Sequence, residues 1–261
     1  MSLIEPMPQS SPPNADRARR PKARHTGLEW LTAVEMVRAQ RGRDELRTLP
    51  QGDGHPVLVL PGFLAGRAST KYLRDFLRDL GYYTHDWNLG TNLGVNPKVE
   101  DKLRARVLGL HAFHGRRISL IGWSAGGIYA REVAREYPDL IRNVITLGSP
   151  IRGNVQASRA WRLYRAMNRG EHLESLMSEE AKFGRAEPLT VPTTCIYSRT
   201  DGIVSWECCT SLPAETTENI EVRGTHLGYG HNMQVLRIIA DRLALPEGEW
   251  IPYRRLTTTE K

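Results

Sequence analysis

A serine, an aspartate and a histidine stand where they could work as nucleophile, orienting acid and base: Ser124, Asp201 and His226. A serine hydroxyl is a poor nucleophile until a base takes its proton. Histidine suits that task near neutral pH, and a carboxylate can fix its tautomer and stabilise the imidazolium. Ser124 lies in Gly122-Trp123-Ser124-Ala125-Gly126-Gly127, a Gly-x-Ser-x-Gly pattern. This pattern suits a tight strand-to-helix turn, in which the serine takes a strained backbone and its neighbours must be small. Such a turn lifts the hydroxyl clear of the sheet. It also aims the Ala125 N–H and a helix dipole at the place where negative charge would form. A second amide is needed there, and Phe63 in Pro61-Gly62-Phe63-Leu64 is placed to give it, because Gly62 lets the backbone come close. The competing readings are a glycine-rich turn with an incidental serine, a turn aspartate before Gly202, and an ordinary turn at Pro61-Gly62.

His226 has rivals. His231 reads as a helix-start or surface residue, and His111 and His114 lie late in a helix, where a charged imidazole suits the dipole. His25, His55, His85 and His172 read as structural or solvent-facing, and Glu207 and Asp86 are the fallback carboxylates. The cysteines are Cys195, Cys208 and Cys209. An odd count with no Cys-x-x-C pair argues against a disulfide framework and a structural zinc site, and points to a reducing, cytoplasmic setting. No metal or cofactor is expected. Residues 122–127 fit neither G-x-G-x-x-G nor a P-loop, which sets nucleotide binding aside.

For these side chains to meet, several strands must end at one rim. Buried strands are expected at 56–60, 82–87, 118–121, 141–147, 193–197 and 219–222, from continuous or β-branched apolar runs. Helical spacing is found at 69–80, 99–113, 128–137 and 231–243. Pro138 stops the third of these. Alternating strands and helices imply an α/β fold with a doubly wound, mainly parallel sheet, and functional loops gather at the carboxyl ends of such strands. Asp201 and His226 each follow a late strand, which places them on that rim with Ser124. Residues 153–188 are helical in pattern and longer than a crossover needs, so they read as a cap; a plain crossover helix with a long loop is the alternative. Trp123, Phe63, Leu64 and the cap would then line an apolar acyl site, with Trp123 and Leu64 touching substrate.

Outside the domain at about 55–245, residues 1–26 are rich in Pro, Ser and Arg and are expected to be disordered. The basic run 17–24 has no apolar stretch after it, so it reads as no signal peptide. Residues 27–54 read as a helix, to about 49, and a linker, and 246–261 as a tail. The 261 residues suit one such domain, and the formal net charge of +7 lies largely in the basic tail and on scattered helix faces. No aromatic-interleaved basic patch suggests nucleic acid, and no apolar run is long enough for integral membrane association. Oligomeric state is not legible.

The ordered set PGF (61–63), GWSAGG (122–127), TLGSP (146–150), SRTDGIV (198–204) and THLG (225–228) resembles the α/β-hydrolase superfamily, in its esterase and triacylglycerol-lipase-like branch. The resemblance implies Ser124, Asp201 and His226 as the catalytic triad, Phe63 and Ala125 as the oxyanion hole, and the insert after TLGSP as the cap. The expected activity is serine hydrolysis of a small-molecule carboxylic ester with an apolar acyl group. Thioesterase, amidase or acyltransferase chemistry on the same triad is the alternative, and a non-catalytic binding protein of the same fold is another. Many relatives carry His-Gly before the oxyanion residue; Pro61-Gly62 here keeps the backbone donor and loses a side chain that can order the loop.

Overall fold

The computed structural model describes residues 13–94, 97–154, 156–167 and 185–254. Six strands form one sheet in the order β2-β1-β3-β4-β5-β6: β1 is Pro56–Leu60, β2 Tyr83–Asp86, β3 Ile118–Trp123, β4 Ile141–Leu147, β5 Thr193–Tyr197 and β6 Thr217–Glu221. Every neighbouring pair is parallel. All their carboxyl ends therefore share one rim, as the α/β pattern requires. No strand precedes Pro56 among the described residues.

The continuous apolar strands are explained by burial on both faces. Val57 and Val59 of β1, with Ile121, Ile145 and Ile196, pack under helices α4 (Lys71–Asp79) and α8 (Met233–Ala244). Leu58 and Leu60, with Leu120 and Val144, pack under α5 (Pro97–His114) and α6 (Ala125–Glu136). One residue of slip in β1 would exchange the two sets, so the period of two fixes the register.

The chain before β1 departs from expectation in two places. Instead of one helix over 27–49 there is a 3-10 turn at Glu29–Leu31, then α2 (Thr32–Arg41) and α3 (Arg43–Arg47). The break falls at Gly42, a poor helix former, where an added Cβ would stand 2.6 Å from the Met233 methyl of α8. Residues 13–26, expected to be disordered, carry a 3-10 turn at Ala15–Arg17 and a short helix α1 (Ala23–Thr26), and they bury Ala15 and Ala18. Their backbone carbonyls hold them down. Pro13 O accepts from Arg152 (3.0 Å), Arg19 O from Ser205 (2.8 Å) and Pro21 O from Arg159 (2.7 Å). Composition counts apolar side chains and misses such acceptors. Residues 1–12 lie outside the described residues.

Of the expected cap, the described part holds α7 (Trp161–Met167) and a bridge from Ser158 to Val204, which ties this stretch to the Asp201 loop. Residues 168–184, with the apolar spacing at Leu173, Leu176 and Met177, lie outside the described residues.

Candidate active site

Ser124 sits between β3 and α6 with φ 53° and ψ −122°, a conformation that costs a non-glycine residue about 1–3 kcal/mol. Its neighbours show why the turn needs glycine. A Cβ on Gly122 would lie 2.3 Å from Gly127 Cα, and one on Gly126 would lie 2.4 Å from Leu60 O. The Ser124 N–H donates to Leu147 O (2.8 Å), which ties the turn to the end of β4. The residue is half-buried.

The Pro61–Phe63 turn lies directly against it, with a Cβ on Gly62 placed 3.2 Å from Ser124 Cβ. Neither the Phe63 N–H nor the Ala125 N–H donates to an acceptor among the described residues. Two free amides beside a strained serine are what a developing oxyanion needs. The buried Asn92 orders this turn. Its side chain donates to Pro61 O (2.9 Å), its N–H to Ala65 O (2.8 Å), and its carbonyl accepts the Leu64 N–H (2.7 Å). Asn92 thus gives this turn side-chain support. Leu64 takes φ +60° and is exposed.

Asp201 and His226 meet at the same rim. His226 Nδ1 donates to Asp201 Oδ2 (2.6 Å), and both residues are buried. Asp201 Oδ1 accepts the N–H groups of Ile203 (2.8 Å) and Val204 (2.7 Å), so the carboxylate is held on both oxygens. With Nδ1 carrying the proton, Nε2 is the acceptor. Burial pulls the imidazole toward neutrality, but the Asp201 charge and hydrogen bond, with Glu29 behind them, outweigh it and raise its pKa above the ordinary 6.5. The Trp123 indole donates to His226 O (3.0 Å), which brings the residue before Ser124 against the imidazole's own backbone. No hydrogen bond joins Ser124 Oγ to the imidazole; such bonds commonly tighten only in the substrate complex.

No protein-family model matches the sequence, and no curated protein matches it. Solved structures do. Lipase B of Aspergillus fumigatus superposes with a TM-score of 0.58 at 17% identity, over 75% of this chain and 53% of that one, so the chain spans about half that lipase's length. Mature Bacillus licheniformis lipase BlEst2 gives 0.57 at 13% identity, over 75% and 93% of the two chains. An alpha/beta superfamily hydrolase from Oenococcus oeni gives 0.50 at 15%, over 73% and 92%. The chain has the α/β-hydrolase fold.

On this α/β-hydrolase sheet the rival residues are engaged elsewhere. His231 Nε2 lies 3.2 Å from Thr32 O, and His85 Nε2 lies 2.8 Å from His114 Nε2. His111 Nδ1 is 3.1 Å from Arg116 O, and His172 lies outside the described residues. Glu207 accepts the Ser205 hydroxyl (2.6 Å), and Asp86 sits among Arg67, Arg74 and Arg106. Trp123, expected to touch substrate, is only 8% exposed; its ring packs where Gly230 leaves room, and its N–H donates to His226 O. The Phe63 ring lies 5.1 Å from that of Tyr164 on α7. Two residues escaped the sequence reading. Asn92 sat in a Gly/Asn-rich loop with nothing to mark it, and Glu29, whose carboxylate reaches the His226 backbone (2.9 Å), is 197 positions away from it.

Proposed function

We propose that the protein is a serine hydrolase of small carboxylic esters, acting through an acyl-enzyme. The observation that carries this reading is the buried Asp201–His226 hydrogen bond (2.6 Å) on the rim that also holds the strained Ser124. Ser124 Oγ attacks the ester carbonyl while His226 Nε2 takes its proton. The carbonyl oxygen becomes an oxyanion held by the Phe63 and Ala125 amides. The imidazolium then returns its proton to the departing alcohol, leaving Ser124 acylated. A water, deprotonated by the same imidazole, releases the acid. Asp201 keeps Nδ1 protonated throughout.

Exposed Leu64 and Leu227, each next to a residue of the site, support an apolar acyl group, as do the lipase names of the structural neighbours. Among the described residues no helix is long and apolar enough to cross a membrane. The three cysteines are free and buried, which supports a cytoplasmic setting. The test is partitioning of short-chain aryl esters between water and added methanol. A common acyl-enzyme gives one ratio of acid to methyl ester for every leaving group. No turnover, or a ratio that varies with the leaving group, overturns the reading.

A further inference from the structure

The segment ahead of β1 lies across the loops that carry Asp201 and His226, and Glu29 is at its centre. Glu29 is 9% exposed, yet its carboxylate accepts three backbone N–H groups: Oε1 takes those of Gly202 (2.8 Å) and His226 (2.9 Å), and Oε2 takes that of Leu227 (3.0 Å). One side chain therefore joins the residue after the acid to the base itself. Bonds from amides to a buried carboxylate are among the stronger ones in a protein, since an ionised group left unsatisfied there is costly.

The neighbours of Glu29 repeat the pattern. Thr26 Oγ1 donates to Gly202 O (2.6 Å). Thr225 Oγ1 lies 2.6 Å from Thr32 Oγ1 and donates to Glu35 Oε2 (2.6 Å), while Glu35 Oε1 accepts from Asn232 Nδ2 (2.8 Å). The glycines of both loops mark the approach. A Cβ on Gly202 would stand 2.6 Å from His25 O, and one on Gly228 1.7 Å from Glu35 Oε2. Neither glycine has a positive φ. Each is needed for closeness to this segment and not for its turn.

We propose that Glu29 is a positioning residue for the acid–base pair, fixing the Asp201 loop and the His226 loop in one register through their backbone amides. This rests on the ester-hydrolase reading above. The imidazole meets Asp201 from the loop after β5 and the Tyr229 ring, 5.9 Å away, from its own loop, while Glu29, from the amino-terminal segment, holds the His226 backbone N–H. The Glu29 carboxylate also favours the protonated imidazole through its charge.

The experiment uses the full chain with Glu29→Ala and Glu29→Gln, and measures kcat, KM and the pH profile on an aryl ester, with amide hydrogen exchange at Gly202, His226 and Leu227. Glu29→Ala lowers kcat about 10- to 100-fold with KM little changed, the scale of a misplaced catalytic group. It also speeds exchange at all three amides. Glu29→Gln keeps an oxygen for Gly202 and His226, so it recovers most of kcat. It loses the charge, so the pKa of the kcat/KM profile moves down. Wild-type kcat, pH profile and exchange in both variants overturn the proposal, even if the melting temperature falls. If Glu29→Ala does not fold, Glu29→Gln decides by its pH profile and by exchange at Leu227. A wild type with no turnover and no fluorophosphonate labelling defeats the ester-hydrolase reading instead, and unchanged amide exchange then still overturns the clamp on its own.

Discussion

Among the described residues two aspartate–histidine pairs stand at opposite ends of the parallel strands. Below β1, His55 Nδ1 lies 2.5 Å from Asp53 Oδ1, and His55 Nε2 lies 2.8 Å from Ser119 Oγ. At the opposite rim, His226 Nδ1 lies 2.6 Å from Asp201, and Ser124 makes no hydrogen bond to the imidazole. By hydrogen bonds alone the first trio is the more complete. It differs in everything else. His55 and Ser119 are both 0% exposed, and Ser119 sits within β3. Arg142 lies 2.7 Å from Asp53 Oδ2 and 3.0 Å from His55 Nδ1. Burial, together with the Arg142 charge and against the pull of Asp53, brings the His55 pKa down to about 4, whereas that of His226 is raised. In the first trio the histidine and serine are sealed between β1, β3 and β4, while Asp53 is exposed and tied to Arg116 and Arg142. The second has a half-buried serine, free amides beside it and an imidazole biased to take a proton. Three polar groups at hydrogen-bond distance are not a site; burial and electrostatics separate the two.

Exchanging the serines tests this contrast most severely. Ser124→Ala lowers kcat by roughly 10⁴- to 10⁶-fold. Ser119→Ala leaves kcat within about twofold and costs about 1–3 kcal/mol of stability, because His55 Nε2 loses its partner. Turnover on an aryl ester and urea unfolding of both variants give the two numbers. Exchanging the aspartates comes next. Asp201→Asn lowers kcat about 10⁴-fold by upsetting the tautomer, whereas Asp53→Asn lowers the urea midpoint and spares kcat.

Acidity separates the pairs in a third way. Only neutral His226 accepts the serine proton, so kcat/KM rises with pH through an apparent pKa above 6.5. His55 acts through stability. Its folded pKa of about 4 lies below its ordinary 6.5, so the unfolded chain takes up a proton first as pH falls. The stability it contributes is complete above pH 6.5 and is lost between there and pH 4, to the extent of about 3 kcal/mol. Wild type loses urea resistance over that window, and His55→Gln loses less. The smallest effect is Asn92→Ala, which loosens the Phe63 turn and keeps its amide. It lowers kcat about 10-fold, short of the ~10²–10³ that deleting an oxyanion donor costs.

The sequence shows some of these features and hides others for physical reasons. Strands 56–60, 141–147 and 193–197 are read to the residue, because parallel strands buried on both faces are unbroken apolar runs between polar turns. The elbow is local: strand, glycines, serine and helix lie within one contiguous stretch. Asp201 and His226 follow from strand order, since loops after parallel strands share a rim. The burial of Trp123 is hidden, because an apolar indole beside the serine reads the same whether it faces substrate or core. Glu29 lies 173 and 197 positions from the amides it binds, and backbone amides leave no mark in a sequence. The packing of 13–26 was hidden likewise, since it depends on carbonyl acceptors.

The most direct test of the central claim is to treat the folded protein with a fluorophosphonate, digest it and locate the adduct by mass spectrometry. The account predicts one phosphonyl group per chain, on Ser124, and none on Ser119 or any other serine. A folded protein that takes no label, or takes it on a different serine, contradicts it.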